Sequence, residues 1–322
     1  MTKNNLKIVF FGTPEFAVES LKRLVENNFN ICAVVTAPDK QAGRGQHFAQ
    51  SEVKKFAVEH GLRIMQPEKL KDEKFVDELR AINADLFIVI AFRMLPEVVW
   101  AMPRLGTFNL HASLLPKYRG AAPINWAVIN GETETGVTTF FLKHEIDTGD
   151  IIQQKKISVG IKDNVGIIYD KLMHLGADMV IETVNEIANG NVHTTPQSEL
   201  ESGTMPTPAP KIFKDTCHID WNQPAISVYN LIRGLSPYPA AWSQFKKNDK
   251  TYQIKIFETE LPTAFTEDSS TQPGHAYAQN GKLFIACNDA KLEILSLQLA
   301  GKKRMSTAEF LRGFELNDIV FE

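Results

Sequence analysis

An α/β chain of two domains is what the sequence predicts, on three observations. Short apolar runs alternate with amphipathic stretches of helical period through residue 189. The texture then turns rich in Gly, Ser, Thr and Pro between residues 190 and 206. Beyond that, short strand-like runs separated by turn residues dominate. Strand-helix alternation argues a parallel sheet covered by helices on both faces, and the second texture argues a small barrel or sandwich.

The elements follow in order. "LKIVFFG" reads as a buried strand ending in glycine. Thr13 can cap the next helix with Pro14 as its first residue, and Phe16, Leu21, Leu24 and Val25 form its apolar face. "FNICAVVT" and "LFIVIA" are further strands, with helical "EVKKFAVEH" and "DEKFVDELRAI" between them. Then come "GTFNLH", helical "APINWAVIN", a strand pair "TGVTTFFLK" and "DIIQQKKISV", and a long helix from Val165 to Asn189. Residues 1–189 form the first domain, 190–206 an extended linker and 207–322 the second domain. In the second, "NQPAISVYNLIRGL" is helical, and "AAWSQF", "TYQIKIFETEL", "KLFIACN" and "KLEILSLQL" are strands.

Charge excludes a globally basic nucleic-acid binder, since the net charge is -3 and residues 206–322 hold 13 basic and 13 acidic side chains. Cys32, Cys217 and Cys287 lie far apart, so neither a disulfide framework nor a zinc spacing can be built. The apolar run near the start is too short for a signal peptide or a membrane span. A soluble cytoplasmic protein is expected.

Several motif readings fail. "FFGTPEF" has one glycine where a dinucleotide fingerprint needs three. "HEIDT" lacks the second histidine of a zinc protease, because Thr148 stands there. "DTG" at Asp147 has no second copy to share a proton with, as an aspartic protease needs. The segment "PDKQAGRGQHFAQS" is long for a connection in such a fold, and its two glycines flank Arg44 like an arm presenting one cation.

In "GTFNLH" the side chains of Thr107, Asn109 and His111 share one face of a strand, and Phe108 and Leu110 the other. The polar pair sits at the carboxyl end, where open α/β sheets place ligands. A hydrogen-bonded structural histidine and a functional one both remain open on this pattern. Asn and His without a nearby nucleophile suit polarising a carbonyl, since both can donate to a developing oxyanion. Asp147 could complete such a site as an acceptor, or simply make an Asx turn before Gly149.

The stretch "FNLHASLLPKYRGAAPINWAVINGETETGVTTFFLKHEIDTGDII" closely resembles the folate-dependent formyltransferases. "FFGTPEFAVESL", "PDKQAGRG", "HLGADMVI", "KIFKDTCHIDWNQPA" and "IRGLSPYPAAW" extend the likeness over nearly the whole chain, toward the members that act on charged tRNA. The resemblance implies a Rossmann-like, parallel-sheet formyltransferase domain and a smaller OB-like β-barrel domain that binds tRNA. It implies 10-formyltetrahydrofolate as donor, methionyl initiator tRNA as acceptor, a monomer, and no metal. Asn109, His111 and Asp147 take the family's catalytic places, and Ser113, Leu114, Leu115 and Pro116 its folate-contacting places.

On this resemblance Asn109 and His111 stabilise the formyl oxygen, while Asp147 orients His111 and helps pass the amine proton. Arg44 takes the place of a loop arginine that meets the tRNA acceptor end, and Lys246, Lys247, Lys250, Lys302, Lys303 and Arg304 are candidate phosphate contacts. Phe92-Arg93 stands where the family usually has Tyr-Gly, so Arg93 is expected either at the folate glutamate tail or paired with a surface carboxylate. A sugar-nucleotide N-formyltransferase or a formyltetrahydrofolate hydrolase would use the same Asn/His/Asp core. A non-catalytic RNA-binding protein would not need it.

Overall fold

A parallel sheet starts at the amino end of the chain in the computed structural model, which describes residues 5–42, 47–200, 207–264, 272–316 and 319–322. Its elements are β1 (Lys7–Gly12), α1 (Glu15–Glu26), β2 (Asn30–Val35), a short pair β3 (Lys40–Ala42) and β4 (His47–Ala49), α2 (Glu52–Glu59), β5 (Ile64–Met65), α3 (Glu73–Ile82) and β6 (Leu86–Ile90). They continue as α4 (Glu97–Trp100), β7 (Thr107–His111), β8 (Arg119–Gly120), α5 (Pro123–Ile129), β9 (Glu134–Phe141), β10 (Ile151–Ser158), α6 (Val165–Asn189) and β11 (Pro208–Ala209). The alternation read from the sequence is therefore the alternation of the fold. Arg44 lies outside the described residues.

Seven strands form one sheet in the order β10-β9-β7-β6-β1-β2-β5. β5, β2, β1, β6 and β7 run parallel to one another, and β9 is antiparallel to β7. The chain winds outward from β1 through β2 to β5, then returns and winds the other way through β6 and β7. That reversal makes a crevice at the carboxyl ends of the central strands, the usual ligand position in such sheets.

Alternate residues of the strands bury opposite faces. Val9, Phe11, Ala33, Val35, Phe87 and Val89 meet Phe75, Val76 and Leu79 of α3. On the other face α6 packs close, because a Cβ on its Gly176 would lie 2.7 Å from Leu110 Cδ2. Phe16 and Tyr169 meet edge to face at 5.3 Å, and the hydroxyls of Thr139 and Thr183 bond at 2.9 Å. α1 begins one residue later than the sequence suggests. Pro14 is extended at ψ 174° and caps without a side-chain bond, while the Thr13 carbonyl accepts from Val53 N.

The chain divides into two units. The first comprises Met1–Pro123, Thr135–Ile157 and Tyr169–Ala209, and the second Ile124–Glu134, Ser158–Ile168 and Pro210–Glu322. The second unit adds α7 (Ala225–Leu235), β12 (Ala241–Lys247), β13 (Lys250–Thr259), β14 (Ala276–Gln279), β15 (Lys282–Ala286), β16 (Lys291–Leu299), β17 (Met305–Ser306) and α8 (Thr307–Gly313). Its sheet runs β12-β13-β16-β15-β14, with β17 on β16, antiparallel throughout, in keeping with an OB-like half-barrel. Phe245, Ile254, Ile256, Leu292 and Ile294 pack with Val228, Tyr229 and Ile232 of α7 and Phe310 of α8. The three cysteines are free. No helix among the described residues is long and apolar enough to cross a membrane.

Candidate active site

The site is built on β7. Leu110 faces α6, so the alternation turns Thr107, Asn109 and His111 to the opposite face. Thr107 Oγ1 donates to Trp100 O at 2.6 Å and is spent on structure. Asn109 Oδ1 is buried and has no hydrogen-bond partner among the described residues. Leaving such a group unmatched costs ~1–3 kcal/mol, so an unpaired amide oxygen at the carboxyl end of the strand points to a ligand hydrogen-bond donor.

His111 is 6% exposed, and its Nε2 lies 2.8 Å from the Tyr118 carbonyl. A carbonyl only accepts, so Nε2 carries a proton, and when the ring is neutral Nδ1 carries the lone pair. That lone pair faces Asp147, whose Oδ2 is 3.9 Å away. The distance is too long for a direct hydrogen bond, yet one nitrogen or oxygen can lie ~3 Å from both atoms at once. The ring is thus oriented by a main-chain carbonyl, not by the carboxylate expected to do so.

Both anchors come from one loop. Tyr118 adopts φ 62° and donates its N–H to Thr207 O at 2.6 Å. β8 then pairs in parallel with β11, Arg119 opposite Pro208 and Gly120 opposite Ala209. A Cβ on Gly120 would lie 2.4 Å from Ala209 O, and its φ is 130°, so only glycine fits there. The freed Gly120 N–H donates to Asp147 Oδ2 at 2.9 Å. Asp147 is itself at φ 56°, in a turn closed by the bond from Phe141 N to Asp150 O at 3.1 Å.

The four residues in the folate-contacting places form a braced loop. Ser113 is fully buried, and its hydroxyl donates to Lys117 O at 2.7 Å. Leu115 joins Phe140 and Ile151 in a small core, while Leu114 and Pro116 are half-buried. Thr138 Oγ1 is the hub: it donates to Ser113 O at 2.7 Å and accepts from Leu115 N and Gln154 Nε2. Gln154 Nε2 also donates to Leu115 O at 2.8 Å. Thr138→Val keeps the shape and strands these partners, so a loss of ~2 kcal/mol is expected in a urea titration. An unchanged midpoint would mean the loop does not depend on the hub.

Arg93 pairs with main-chain oxygens. It donates from Nη1 to Glu68 O at 2.7 Å and from Nη2 to Pro67 O, and it lies 5.7 Å from the Phe92 ring centre. Burial pulls its pKa below the ordinary guanidinium value. Among the described residues it is held by carbonyls rather than by a surface carboxylate.

The basic candidates of the second unit gather at one end of its sheet. Asn248 and Asp249, both at positive φ, turn β12 into β13 and set Lys247 opposite Lys250. Ile254 pairs with Leu299, and Lys302 N donates to Leu299 O, so residues 300–303 turn back at the end of β16 that lies on the Lys250 side of the sheet. Lys302 and Lys303 are exposed. Lys246 lies 3.9 Å from Glu322, and Lys247 donates to Glu315 O. Arg304 is engaged with Ser296, Glu258 and the Phe257 ring.

Sequence reasoning missed Tyr118, Gly120 and Gln197. The first two act through the main chain, where residue type carries little signal beyond the glycine itself. Gln197 lies in the stretch expected as linker, and it is 3% exposed. Among the described residues no cluster of three or more His, Cys, Asp or Glu is placed to hold a metal.

Residues 6–184 match the model of the formyl transferase family, and residues 211–315 match that of the formyl transferase C-terminal domain. A methionyl-tRNA formyltransferase of Bacteroides fragilis is 59% identical over 322 residues, 99% of this chain and 98% of its own. One from Bacteroides thetaiotaomicron is 56% identical over 321 residues, with the same coverage. An N-formyltransferase from Helicobacter canadensis, solved with folinic acid and dTDP-3-aminofucose, superposes with a TM-score of 0.63 at 20% identity, over 90% of this chain and 98% of that one. The last likeness is one of fold.

Proposed function

The chain belongs to the formyl transferase family, and from that premise we propose that it transfers the formyl group of 10-formyltetrahydrofolate to the α-amine of methionyl initiator tRNA, acting as a monomer in the cytoplasm. The observation that carries the chemistry is a buried Asn109 side chain whose Oδ1 has no partner among the described residues, beside a His111 whose Nδ1 lies 3.9 Å from Asp147 Oδ2. The choice of acceptor rests on 59% identity to a methionyl-tRNA formyltransferase, against 20% to an N-formyltransferase solved with a sugar nucleotide.

The folate supplies a formyl carbon bonded to a nitrogen that can leave. Asn109 donates to the formyl oxygen as negative charge develops there. An amine seated between His111 and Asp147 gives its proton to Nδ1 as it attacks, because Nε2 already holds a proton for Tyr118 O. The resulting imidazolium pairs with the Asp147 carboxylate and returns the proton to the departing nitrogen. α-Amines have pKa values near ~8, so no stronger base is required. Ser113, Leu114, Leu115 and Pro116 present the donor's binding loop, its main chain held rigid by Thr138 and Gln154.

Lys246, Lys247, Lys250, Lys302 and Lys303 meet the tRNA backbone, with Arg304 behind them and Arg44 at the acceptor end.

Tetrahydrofolate release is followed with charged initiator tRNA, with an amino-sugar nucleotide and with water alone. Release coupled to formylmethionyl ester formation is expected. Release that needs only the amino sugar, or no acceptor, would overturn the proposal in favour of a sugar formyltransferase or a hydrolase. In the same assay Asn109→Ala should lower turnover ~10²–10³-fold, the usual worth of one oxyanion donor. Turnover within threefold of the parent would remove Asn109 from the site.

A further inference from the structure

The turn that carries Asp147 is held by more than its own closing bond from Phe141 N to Asp150 O. Gln197, on a single 3-10 turn (Gln197–Glu199), reaches into it from 50 residues away. Its Nε2 donates to Asp147 O at 2.8 Å and to Gly149 O at 2.9 Å. Its Oε1 accepts from Arg119 Nε at 3.1 Å and Nη2 at 2.7 Å. Arg119 Nε also donates to Asp147 O, at 3.2 Å. Every polar atom of a side chain that is 3% exposed is thereby used on the two segments that hold the catalytic pair.

We propose that Gln197 is a positioning residue for formyl transfer, acting through Asp147. The inference rests on the active-site reading above. Asp147 stands in the left-handed region, a conformation that persists in a non-glycine residue when its surroundings over-determine it. Two anchors supply that determination. Gly120 N holds the carboxylate, and the Gln197–Arg119 pair holds the carbonyl of the same residue. With both ends pinned, Oδ2 has one place to be, 3.9 Å from His111 Nδ1. Release of the carbonyl leaves the carboxylate on a single hydrogen bond, free to swing about Cα.

Arg119 ties this to the histidine as well. Its neighbour Tyr118 carries the carbonyl that sets the tautomer of His111, and its neighbour Gly120 carries the N–H on Asp147. Gln197 therefore locks, in one contact set, the loop that orients the ring and the turn that orients the carboxylate. It lies between the two family-matched spans, which end at 184 and resume at 211. Its surroundings offer no ligand role, since its donors and acceptor face protein.

The test is a double-mutant cycle in single-turnover formyl transfer, with Gln197→Met, Gln197→Glu and Asp147→Asn. Gln197→Met keeps volume and removes every hydrogen bond. Gln197→Glu keeps the acceptor for Arg119 and removes both donors. Each should lower kcat ~10–100-fold, as a misplaced catalytic group does, with KM for both substrates within threefold. In the Asp147→Asn background the same changes should cost less than twofold, because a residue that acts through Asp147 has nothing left to position.

A fall in melting temperature with kcat within twofold of the parent would overturn the inference, as would a loss that simply adds to that of Asp147→Asn. Failure of both Gln197 variants to fold would make the residue structural and also overturn it. If Asp147→Asn itself turned over like the parent, the active-site reading would fall. If Asp147→Asn were crippled and the Gln197 variants were not, only the positioning role would.

Discussion

His111→Gln is expected to cut turnover ~10³–10⁴-fold while leaving KM for the folate donor within threefold. The glutamine amide can still donate to the Tyr118 carbonyl, so the loop at 118–120 keeps a partner and the fold should survive. What it cannot do is accept a proton toward Asp147 and hold it. His111 is asked for two contributions, a base at Nδ1 and afterwards a cation beside a carboxylate, and glutamine provides neither. His111→Ala should lose as much turnover and, in addition, some stability, because it removes the buried bond from His111 Nε2 to the Tyr118 carbonyl. A His111→Gln variant within tenfold of the parent in single turnover would mean that the proton leaves the amine by another route.

Gly149→Ala should be less damaging to activity and far more damaging to the fold. A Cβ there would stand 1.6 Å from Phe141 O and 2.8 Å from Phe141 C, both main-chain atoms with nowhere to go. The turn would have to open at its neck, where Phe141 N bonds Asp150 O, and Asp147 would move with it. Losses of about 3 kcal/mol or more in a urea titration and ~10²-fold in turnover are expected. Gly313→Ala is the matched control, at the end of α8 with no atom within 4 Å of the added carbon, and should change stability by less than ~0.5 kcal/mol. Equal effects at the two positions would mean that crowding at Gly149 is relieved without cost.

Much of this arrangement could be read from residue order because its cause is local. Alternation alone put Asn109 and His111 on one face of β7, and the helix from Val165 to Asn189 has the bounds that its periodicity suggests. The parts that were illegible depend on contacts distant in sequence. Which group orients His111 depends on where residue 118 folds back, and a main-chain carbonyl has no letter in the sequence. Gln197 sits in a stretch whose composition signals an extended connection, yet one side chain in it is buried against residues 119, 147 and 149. The gathering of Lys247, Lys250 and residues 300–303 needed the register of β13 on β16. Arg93 pairs with main-chain carbonyls of Pro67 and Glu68 rather than with a surface carboxylate among the described residues, and carbonyls have no letter in the sequence.

The composition of the two units bears on any attempt to fuse the amino-terminal family-matched span of this chain to a foreign carboxyl-terminal one. Family boundaries invite a junction somewhere between 184 and 211. A chimera cut there would leave Ile124–Glu134 and Ser158–Ile168 on the wrong side, parted from the unit they help to build. It would also have to retain Gln197 and residues 207–209, which brace the loop and turn around His111 and Asp147. This protein is one chain with two inseparable recipes, and a graft that respects it transplants three segments rather than one.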